Sequence, residues 1–271
     1  MMLTFVNVIW GARCGKTARR VLLGETRTRG HAYSVRRRRE SACDRKAPHR
    51  LKSSRLVSTN LLDQWFAEEV KPRLKGEAYE IRFADDAILC FEHKEDAEKV
   101  LSVLPKRFAK YGLTLHPEKT RLVEFGRNAR RNARRQGKKP ATFDFLGLTH
   151  IDARSRKGKF TVHMKTMAKR FRRGLKAIAE WCQEHRHDPV DQQQKTLNAK
   201  LRGHYQYYGR PTNYRSIWQF YRAVRGIWRK WLGRRTRGRG LTWGRFEAIL
   251  RQHPLLPPRI THAWAGARST A

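Results

Sequence analysis

The chain has 271 residues and a formal net charge of +38, which comes from 61 lysine and arginine residues against 23 aspartate and glutamate residues. This excess of positive charge excludes the near-neutral surface of an ordinary small-molecule enzyme and indicates a polyanionic partner. The content of 39% hydrophobic and 10% aromatic residues excludes a disordered basic tail, and it predicts one substantial folded core or two smaller ones.

The first 59 residues predict a basic, irregular head. They hold 15 lysine and arginine residues but only 3 acidic residues, and they include the run SVRRRRE. The stretch VNVIWGARCGKT resembles a phosphate-binding loop. However, only three residues separate Gly11 from Gly15, and because the motif needs four, we do not predict a nucleotide hydrolase. The opening MMLTFVNVIW is apolar, but it lacks the positively charged start of a signal peptide and is too short to span a bilayer. Neither a signal peptide nor a membrane anchor is therefore expected.

The cysteines predict a reducing compartment. Four are present, far apart in the sequence and without the paired spacing of a zinc site or a small disulfide framework: Cys14, Cys43, Cys90 and Cys182. We therefore expect a cytoplasmic protein without a membrane partner.

Residues 60–126 are the one segment that is not basic, with 11 lysine and arginine residues against 13 acidic residues. LLDQWFAEEVKPRL and EDAEKVLSVLPKRFAKYG carry apolar residues at helical spacing, and LTLHPEKTRLVEFG alternates like a strand. Between the two helices, YEIRFADDAILCF predicts two buried strands joined by a turn. The order is typical of an α+β fold in which helices cover a sheet.

Two adjacent carboxylates, Asp85 and Asp86, interrupt this buried hairpin. An Asp-Asp pair is common in turns, which would explain it without chemistry. Two negative charges at the tip of a buried hairpin also repel each other, however, and they favour a cation. Mg²⁺ prefers such oxygen ligands and leaves room for substrate phosphates.

Residues 127–271 hold 35 lysine and arginine residues against 7 acidic residues. At the start of this segment, GRNARRNARRQGKKP (126–140) has no apolar stripe and predicts a mobile loop that contacts nucleic acid loosely. FDFLGL (143–148) predicts a strand followed by a tight turn. LTWGRFEAILRQHPLLPPRITHAW predicts a short helix that ends at prolines, and no Cys/His cluster follows it.

Two amphipathic segments, MAKRFRRGLKAIAEW and NYRSIWQFYRAVRGIWRKWLGRR, predict a basic helical region. Their aromatic stripes are more typical of a helix-bundle core than of surfaces that stack nucleobases. Because acidic residues are scarce there, phosphate neutralisation explains the cations better than a merely solvated face does. The candidate RNA-binding residues are Lys169, Arg170, Arg172, Arg173, Arg202, Arg225, Arg229, Lys230, Arg234 and Arg235.

IRFADDAILCF, FAKYGLTLHPEKTRLVEFG and TFDFLGLTH, in this order, resemble the palm of group II intron reverse transcriptases. The later LNAKLRGHYQYYGRPTNYRSIWQFYRAVRGIWRKWLGRR resembles the maturase-specific, or thumb, domain of the same family. The resemblance implies an N-terminally truncated relative. Its fold would be the C-terminal half of a palm, an antiparallel sheet with covering helices, followed by an α-helical thumb. The implied segments are a non-homologous head (1–59), a partial palm (60–150), a thumb or maturase domain (151–250) and a tail (251–271).

The family's activity is DNA synthesis on an RNA template, with two Mg²⁺ ions about 4 Å apart held by carboxylates. The resemblance implies that Asp85 and Asp86 are catalytic metal ligands, with Asp85 the stronger candidate because neighbouring strand residues point to opposite faces. It also places Lys119 near the departing pyrophosphate. The implied primer grip is formed by Phe145, Leu146 and Gly147.

Three interpretations stay open at this point. The first is a fragment that binds intron-like RNA and has an incomplete polymerase site. It is favoured because the earlier palm aspartate and the fingers have no counterpart before Leu61 in the sequence. A competent polymerase acting on a DNA primer and nucleoside triphosphates, completed by the head or by another chain, is the second. A plain basic RNA-binding protein, with Asp85 and Asp86 as turn residues, is the third. A frameshifted or misplaced start is our hypothesis for the head.

Overall fold

The computed structural model describes residues 3–10, 62–83, 86–116, 120–235 and 240–262. These residues belong to two compact units, Met1–Ala141 and Thr142–Ala271. The first combines a sheet with short helices, and the second combines a smaller sheet with longer helices, so the predicted α+β class is confirmed. No helix within the described ranges is long and apolar enough to cross a membrane.

The first unit is built on a five-stranded sheet. Its strands are β1 (Leu3–Trp10), β2 (Ala78–Phe83), β3 (Asp86–Phe91), β4 (Thr114–Leu115) and β5 (Arg121–Glu124). The order is β2-β3-β1-β4, and β5 also pairs with β1. β2 and β3 form the predicted antiparallel hairpin. The segment 113–126 forms two short strands, both parallel to β1, where the alternation predicted one.

Strand β1 corrects two expectations. The sheet is mixed, not antiparallel, because β1 runs parallel to β3, β4 and β5. The head is not irregular throughout either, since its first described residues form this central strand; residues 11–59 lie outside the described ranges. The physical reason lies in β3, where Ala87–Phe91 are buried on both faces of the sheet. A strand buried in this way needs partners for its backbone groups on both edges.

Helices cover one face of this sheet. The first, α1, spans residues 62–65 and continues through a π-helical turn (Phe66–Val70) and a 3-10 turn (Lys71–Arg73). The second, α2, spans Lys94–Ala109. Both were predicted from the sequence. They bury their apolar stripes against alternate residues of β1, β2 and β3 in a core made of Val8, Leu62, Trp65, Phe66, Val70, Ala78, Ala87, Leu89, Phe91, Ala97, Val100, Leu104 and Phe108.

The basic segment 126–140 does not form the predicted loop. Residues Ala129–Arg135 form a short helix, α3. Ala129 is buried, and Asn132 donates a hydrogen bond of 2.7 Å to the carboxylate of Glu124 on β5. The expectation of an unstructured loop failed because one small residue and one hydrogen bond anchor this helix, and neither produces an apolar stripe.

The second unit begins with a three-stranded antiparallel sheet in the order β6 (Thr142–Phe145), β7 (Leu148–Arg154) and β8 (Phe160–Thr166). Four helices follow: α4 (Ala168–Glu184), α5 (Val190–Tyr208), α6 (Tyr214–Leu232) and α7 (Trp243–Gln252). Because β7 pairs with β8 along its whole length, the FDFLGL hairpin falls in the helical unit. The compact unit therefore starts at Thr142, before the boundary predicted at residue 150.

The helical core confirms part of the predicted aromatic stripe. Ile217, Val224 and Trp228 of α6 are fully buried, and the Trp228 indole donates to the buried Gln193 side chain at 2.8 Å. Two stripe residues do not join the core, since Tyr214 is 47% and Trp218 is 42% exposed. The rest of the core consists of Ile178, Cys182, Leu197, Leu201, Tyr205, Phe220, Leu232, Phe246 and Leu255.

Candidate functional site

The described part of the β2–β3 hairpin ends at Phe83 and Asp86. Phe83 and Asp86 face each other as the last pair of the ladder, so residues 84 and 85 form a two-residue connection. Asp86 begins β3 and is half-buried, while Phe83 is 63% exposed. Asp85, the stronger predicted ligand, lies outside the described residues, and so does Lys119. Their roles stay predictions.

The neighbour of Asp86 on β1 is Phe5. In the register of the parallel β1–β3 pair, Asp86 is opposite Phe5, and Ile88 is opposite Asn7. The whole strand reads LTFVNVIW and contains no acidic residue. The strand beside the Asp-Asp hairpin therefore adds no carboxylate to Asp86.

A charged cluster that sequence reasoning missed lies on the helix-covered face of β2. The guanidinium of Arg82 donates two hydrogen bonds to the carboxylate of Asp63 on α1, at 2.6 and 2.7 Å. Burial, and then the hydrogen bond and negative charge of Asp63, raise the pKa of Glu80 to about 8 against the opposing charges of Arg82 and Lys71. Glu80 is therefore largely protonated at neutral pH. No local pattern signals this cluster, because packing alone brings α1 and β2 together.

Magnesium was the predicted cofactor. Oxygen ligands such as Asp86 suit Mg²⁺, but within the described residues no three His, Cys, Asp or Glu side chains are grouped as a metal site. Glu80 and Asp63 belong to the other face of the hairpin, where Arg82 already neutralises Asp63. The described side chains thus do not by themselves fit a two-metal cage, and the metal expectation rests on Asp85 and Asp86.

The predicted primer-grip residues are located at the β6–β7 turn. Phe145 is buried, whereas Leu146 and Gly147 form the two-residue turn, with φ angles of 49° and 72°. Positive φ at both positions defines a type I′ turn, and this explains the glycine. The turn was predicted from the sequence, but its surroundings were not.

Side chains of α5 and α4 pack on this turn. The Tyr207 hydroxyl donates to the Leu146 carbonyl at 2.8 Å, and the Met167 amide donates to the Gly147 carbonyl at 3.0 Å. A Cβ at Gly147 would lie 3.1 Å from the Tyr208 hydroxyl and 3.6 Å from Cγ of Arg170. Burial raises the pKa of Tyr208, while the charges of Arg170 and Arg173 oppose the shift. The only sign of this contact in the sequence was the pair of adjacent tyrosines, Tyr207 and Tyr208, in HYQYY.

The predicted RNA-binding cations separate into two groups. Exposed on the surface are Lys169, Arg170, Arg172, Arg173, Arg202, Lys230 and Arg234. Three others are partly buried and make contacts within the protein. Arg225 pairs with Glu247 on α7, Arg229 lies 4.2 Å from the Trp243 ring centroid, and Arg235 donates to the Asp188 carbonyl. Arg225, Arg229 and Arg235 therefore make contacts within the protein, and their role in RNA binding stays a prediction.

Residues 35–150 match the family model for the reverse transcriptase domain, described as reverse transcriptase (RNA-dependent DNA polymerase). No curated protein matches the chain. The matched region covers less than half of the chain and includes the Asp-Asp hairpin, α3 and the β6–β7 turn. It starts at residue 35, inside the segment predicted to be a non-homologous head. The match supports a reverse-transcriptase-like function with nucleic-acid partners.

Proposed function

We propose that this protein is a reverse-transcriptase-like RNA-binding protein of the group II intron maturase type, and that α4 is its main RNA-binding surface. The observation that carries the proposal is the cluster of four exposed cations on the first two turns of α4: Lys169, Arg170, Arg172 and Arg173. Arg170 of this cluster lies beside the turn at Leu146–Gly147, and this turn falls within the region that matches the reverse transcriptase domain.

The position of these cations favours an anionic partner. The N-terminus of a helix carries a partial positive charge, so cations in its first turns lower the stability of the helix. The first turn of α4 has no acidic residue that would compensate. Phosphates of a nucleic acid would relieve this repulsion and would also accept hydrogen bonds from the guanidinium groups. Structured RNA is the proposed partner because shape and phosphate contacts dominate its recognition.

The resemblance of HYQYYGRPTNYRSIW and its flanks to the maturase domain supports an intron-type RNA. In the structure this segment forms the end of α5, the 3-10 turn Pro211–Asn213 and the start of α6. Asn213 accepts a hydrogen bond from the Thr166 amide at 2.8 Å and donates to the Tyr208 carbonyl at 2.9 Å. The segment thus connects β8, α5 and α6 through hydrogen bonds, and it orients Tyr207 and Tyr208 toward the β6–β7 turn.

We also propose that the chain does not extend a primer alone. β1 occupies the sheet position beside β3, and its residue in register with Asp86 is Phe5, so the carboxylate pair gains no third carboxylate from that strand. The test is primer extension by the full chain on an RNA template with Mg²⁺ and nucleoside triphosphates. We expect no template-dependent product. Extension that disappears in an Asp85→Ala variant would instead establish a competent polymerase.

RNA binding is tested with two matched variants of the full chain. The first carries glutamine at positions 169, 170, 172 and 173 of α4. The control carries glutamine at the four exposed cations Arg154, Arg156, Lys157 and Lys159, at the opposite end of the β7–β8 pair. Both variants lose four positive charges, so a difference between them depends on position and not on net charge.

Binding to a 20-base-pair RNA hairpin is measured from 50 to 200 mM salt. Each phosphate contact contributes about 0.9 to the log-log salt slope on a duplex, so the α4 variant should lose about 2 to 4 in slope and at least tenfold in affinity. The control should lose less than about 1 in slope. Asp85→Ala should leave both quantities unchanged. Equal losses in the two glutamine variants would refute α4 as the main RNA-binding surface.

A further inference from the structure

A second basic surface lies in the first compact unit, on α3 and its flanks. We call residues 126–140 the arginine helix. It presents seven exposed cations: Arg127, Arg130, Arg131, Arg134, Arg135, Lys138 and Lys139. No acidic residue occurs in the sequence between Glu124 and Asp144. The surface belongs to a different compact unit from α4, and the proposed function does not use it.

The arginine helix has a fixed position on the sheet. Ala129 is 4% exposed, and the Asn132 amide donates to Glu124 on β5 at 2.7 Å. At the other end, the Lys138 amide donates to the Ala133 carbonyl at 2.8 Å, and Gly137 adopts a φ of 64°. This is the hydrogen-bond pattern that closes helices with a left-handed glycine. The helix is therefore anchored on the sheet through Ala129 and Asn132, and its C-terminal end is capped, so its cations lie on a defined surface.

The sequence of this helix opposes its own formation. Helices of seven residues are marginal in water without tertiary contacts. Arg130 and Arg134 are four residues apart, as are Arg131 and Arg135, and like charges at this spacing destabilise a helix. The packing of Ala129 and the bond to Glu124 offset this repulsion. A polyanion bound along the exposed face would remove it.

We propose that the arginine helix is a second nucleic-acid-binding surface, which contacts the sugar-phosphate backbone of duplex RNA. Four residues rise about 6 Å along a helix, so the two arginine pairs form two parallel rows along the axis. Each guanidinium can bind a phosphate through two hydrogen bonds. Exposed glutamine, asparagine and glycine residues complete the surface. No large apolar side chain is exposed between residues 126 and 140, whereas a protein-binding or membrane-binding surface needs aromatic or aliphatic anchors.

The test compares two full-chain variants with equal charge. One carries glutamine at Arg130, Arg131, Arg134 and Arg135; glutamine forms helices well and removes only the charge. The matched control carries glutamine at four exposed lysines in the same compact unit: Lys94, Lys99 and Lys106 of α2, and Lys110, which caps its C-terminal end. Far-UV circular dichroism and urea unfolding establish that both variants are folded.

The probe is a 20-base-pair RNA duplex titrated from 50 to 200 mM salt. We expect the arginine-helix variant to lose about 2 to 4 in log-log slope, and the control to lose less than about 1. Equal slopes for the two variants would overturn the proposal while leaving α4 as the RNA surface. A variant that loses binding to a polyglutamate peptide but keeps its duplex slope would also overturn it, in favour of an acidic protein partner.

A third variant, Asn132→Ala, keeps every cation and removes the hydrogen bond to Glu124. If the fixed position of the helix contributes to affinity, duplex binding should weaken about threefold to tenfold through lost preorganisation. Unchanged affinity in Asn132→Ala, together with unchanged slope in the glutamine variant, would show that the segment is a passive charged surface and would refute the proposal.

Discussion

The two compact units use charge in different ways. In the first, cations pair with carboxylates of the same unit: Arg82 with Asp63, Lys75 with Glu95, Lys94 with Glu98, and Arg107 with Glu69. The second also has ion pairs, Lys176 with Glu180, Lys195 with Asp191 and Arg225 with Glu247, but residues 142–271 hold 28 lysine and arginine residues against 7 acidic residues. Other cations there contact aromatic rings or backbone carbonyls: Lys200 on Trp181, Arg234 on Trp231, Arg229 on Trp243, and Arg235 on the Asp188 carbonyl. Paired charges are internally neutral. Because the second unit has too few carboxylates to pair with its cations, most of those cations stay positive, and their field can attract an anionic partner.

The largest expected effect is a loss of stability in the second unit that leaves the core of the first unit unchanged. Trp228→Ala removes a fully buried indole and leaves Gln193 without its donor. We expect the free energy of unfolding of the second unit to fall by about 3 to 5 kcal/mol. Urea unfolding followed by circular dichroism should resolve a weakened transition beside an unchanged one. The control Trp218→Ala removes a 42% exposed indole and should cost less than about 1 kcal/mol. Similar losses in both variants would contradict the assigned core.

The next effect depends on pH and belongs to the first unit. In the folded state the pKa of Glu80 is raised to about 8, whereas its ordinary value is 4.5. Between these values the folded state binds more protons than the unfolded state, so this contribution to stability is present below pH 4.5 and is lost as pH rises through 8.

Glu80→Gln removes this titration. The variant should therefore gain about 2 kcal/mol relative to the native chain between pH 5 and pH 9, after an allowance for partial exposure. The measurement is urea unfolding of both proteins across that range. Parallel stability curves would show that Glu80 ionises normally.

A smaller effect tests whether Arg229 stabilises the protein or binds RNA. Its guanidinium stacks on Trp243 and donates to the Leu241 carbonyl at 2.8 Å. Arg229→Gln should lower the free energy of unfolding of the second unit by about 1 to 2 kcal/mol. Lys230→Gln, at the exposed neighbouring position, should change it by less than about 0.5 kcal/mol. A loss of RNA affinity in a fully stable Arg229→Gln protein would restore its predicted binding role.

The smallest effect concerns the β6–β7 turn. Gly147 and Gly158 have nearly equal φ angles of 72° and 71°, but a Cβ would meet the Tyr208 hydroxyl only at Gly147, because nothing lies within 4 Å at Gly158. Alanine at either site should cost about 1 kcal/mol in backbone strain. Gly147→Ala should cost about 0.5 to 1 kcal/mol more. Equal costs, measured by urea unfolding, would mean that Tyr208 does not press on the turn.

Local patterns in the sequence predicted the elements of the first unit, but not all of its pairings. The hairpin at Phe83 and Asp86 and the helix Lys94–Ala109 follow from alternation and helical spacing. The insertion of β1 does not, because parallel pairing between distant segments leaves no local signature. The cluster of Asp63, Glu80 and Arg82 arises in the same way from packing between separate elements.

The basic residues show a second limit of the sequence. Arg170 and Arg229 both lie on amphipathic helices rich in arginine, yet the first is exposed and the second is covered by Trp243. The difference depends on where α7 returns across α6, and this is a property of the tertiary fold. The short helix α3 was missed for the same reason, since its anchor on Glu124 lies on another strand.

The central position of β1 also affects how the first unit folds. Among the described residues, Leu3–Trp10 pairs with strands that lie between residues 86 and 124, so a long stretch of chain must be made before these partners exist. Pairings so distant in sequence are slow to form, because closing the intervening loop costs entropy before any contact rewards it. During synthesis LTFVNVIW therefore lacks these partner strands for some time, and an apolar strand without its partners is the type of segment that associates with other chains. Protection of this strand by a chaperone, or by the early binding of RNA, would decide how much of the newly made protein reaches its folded state.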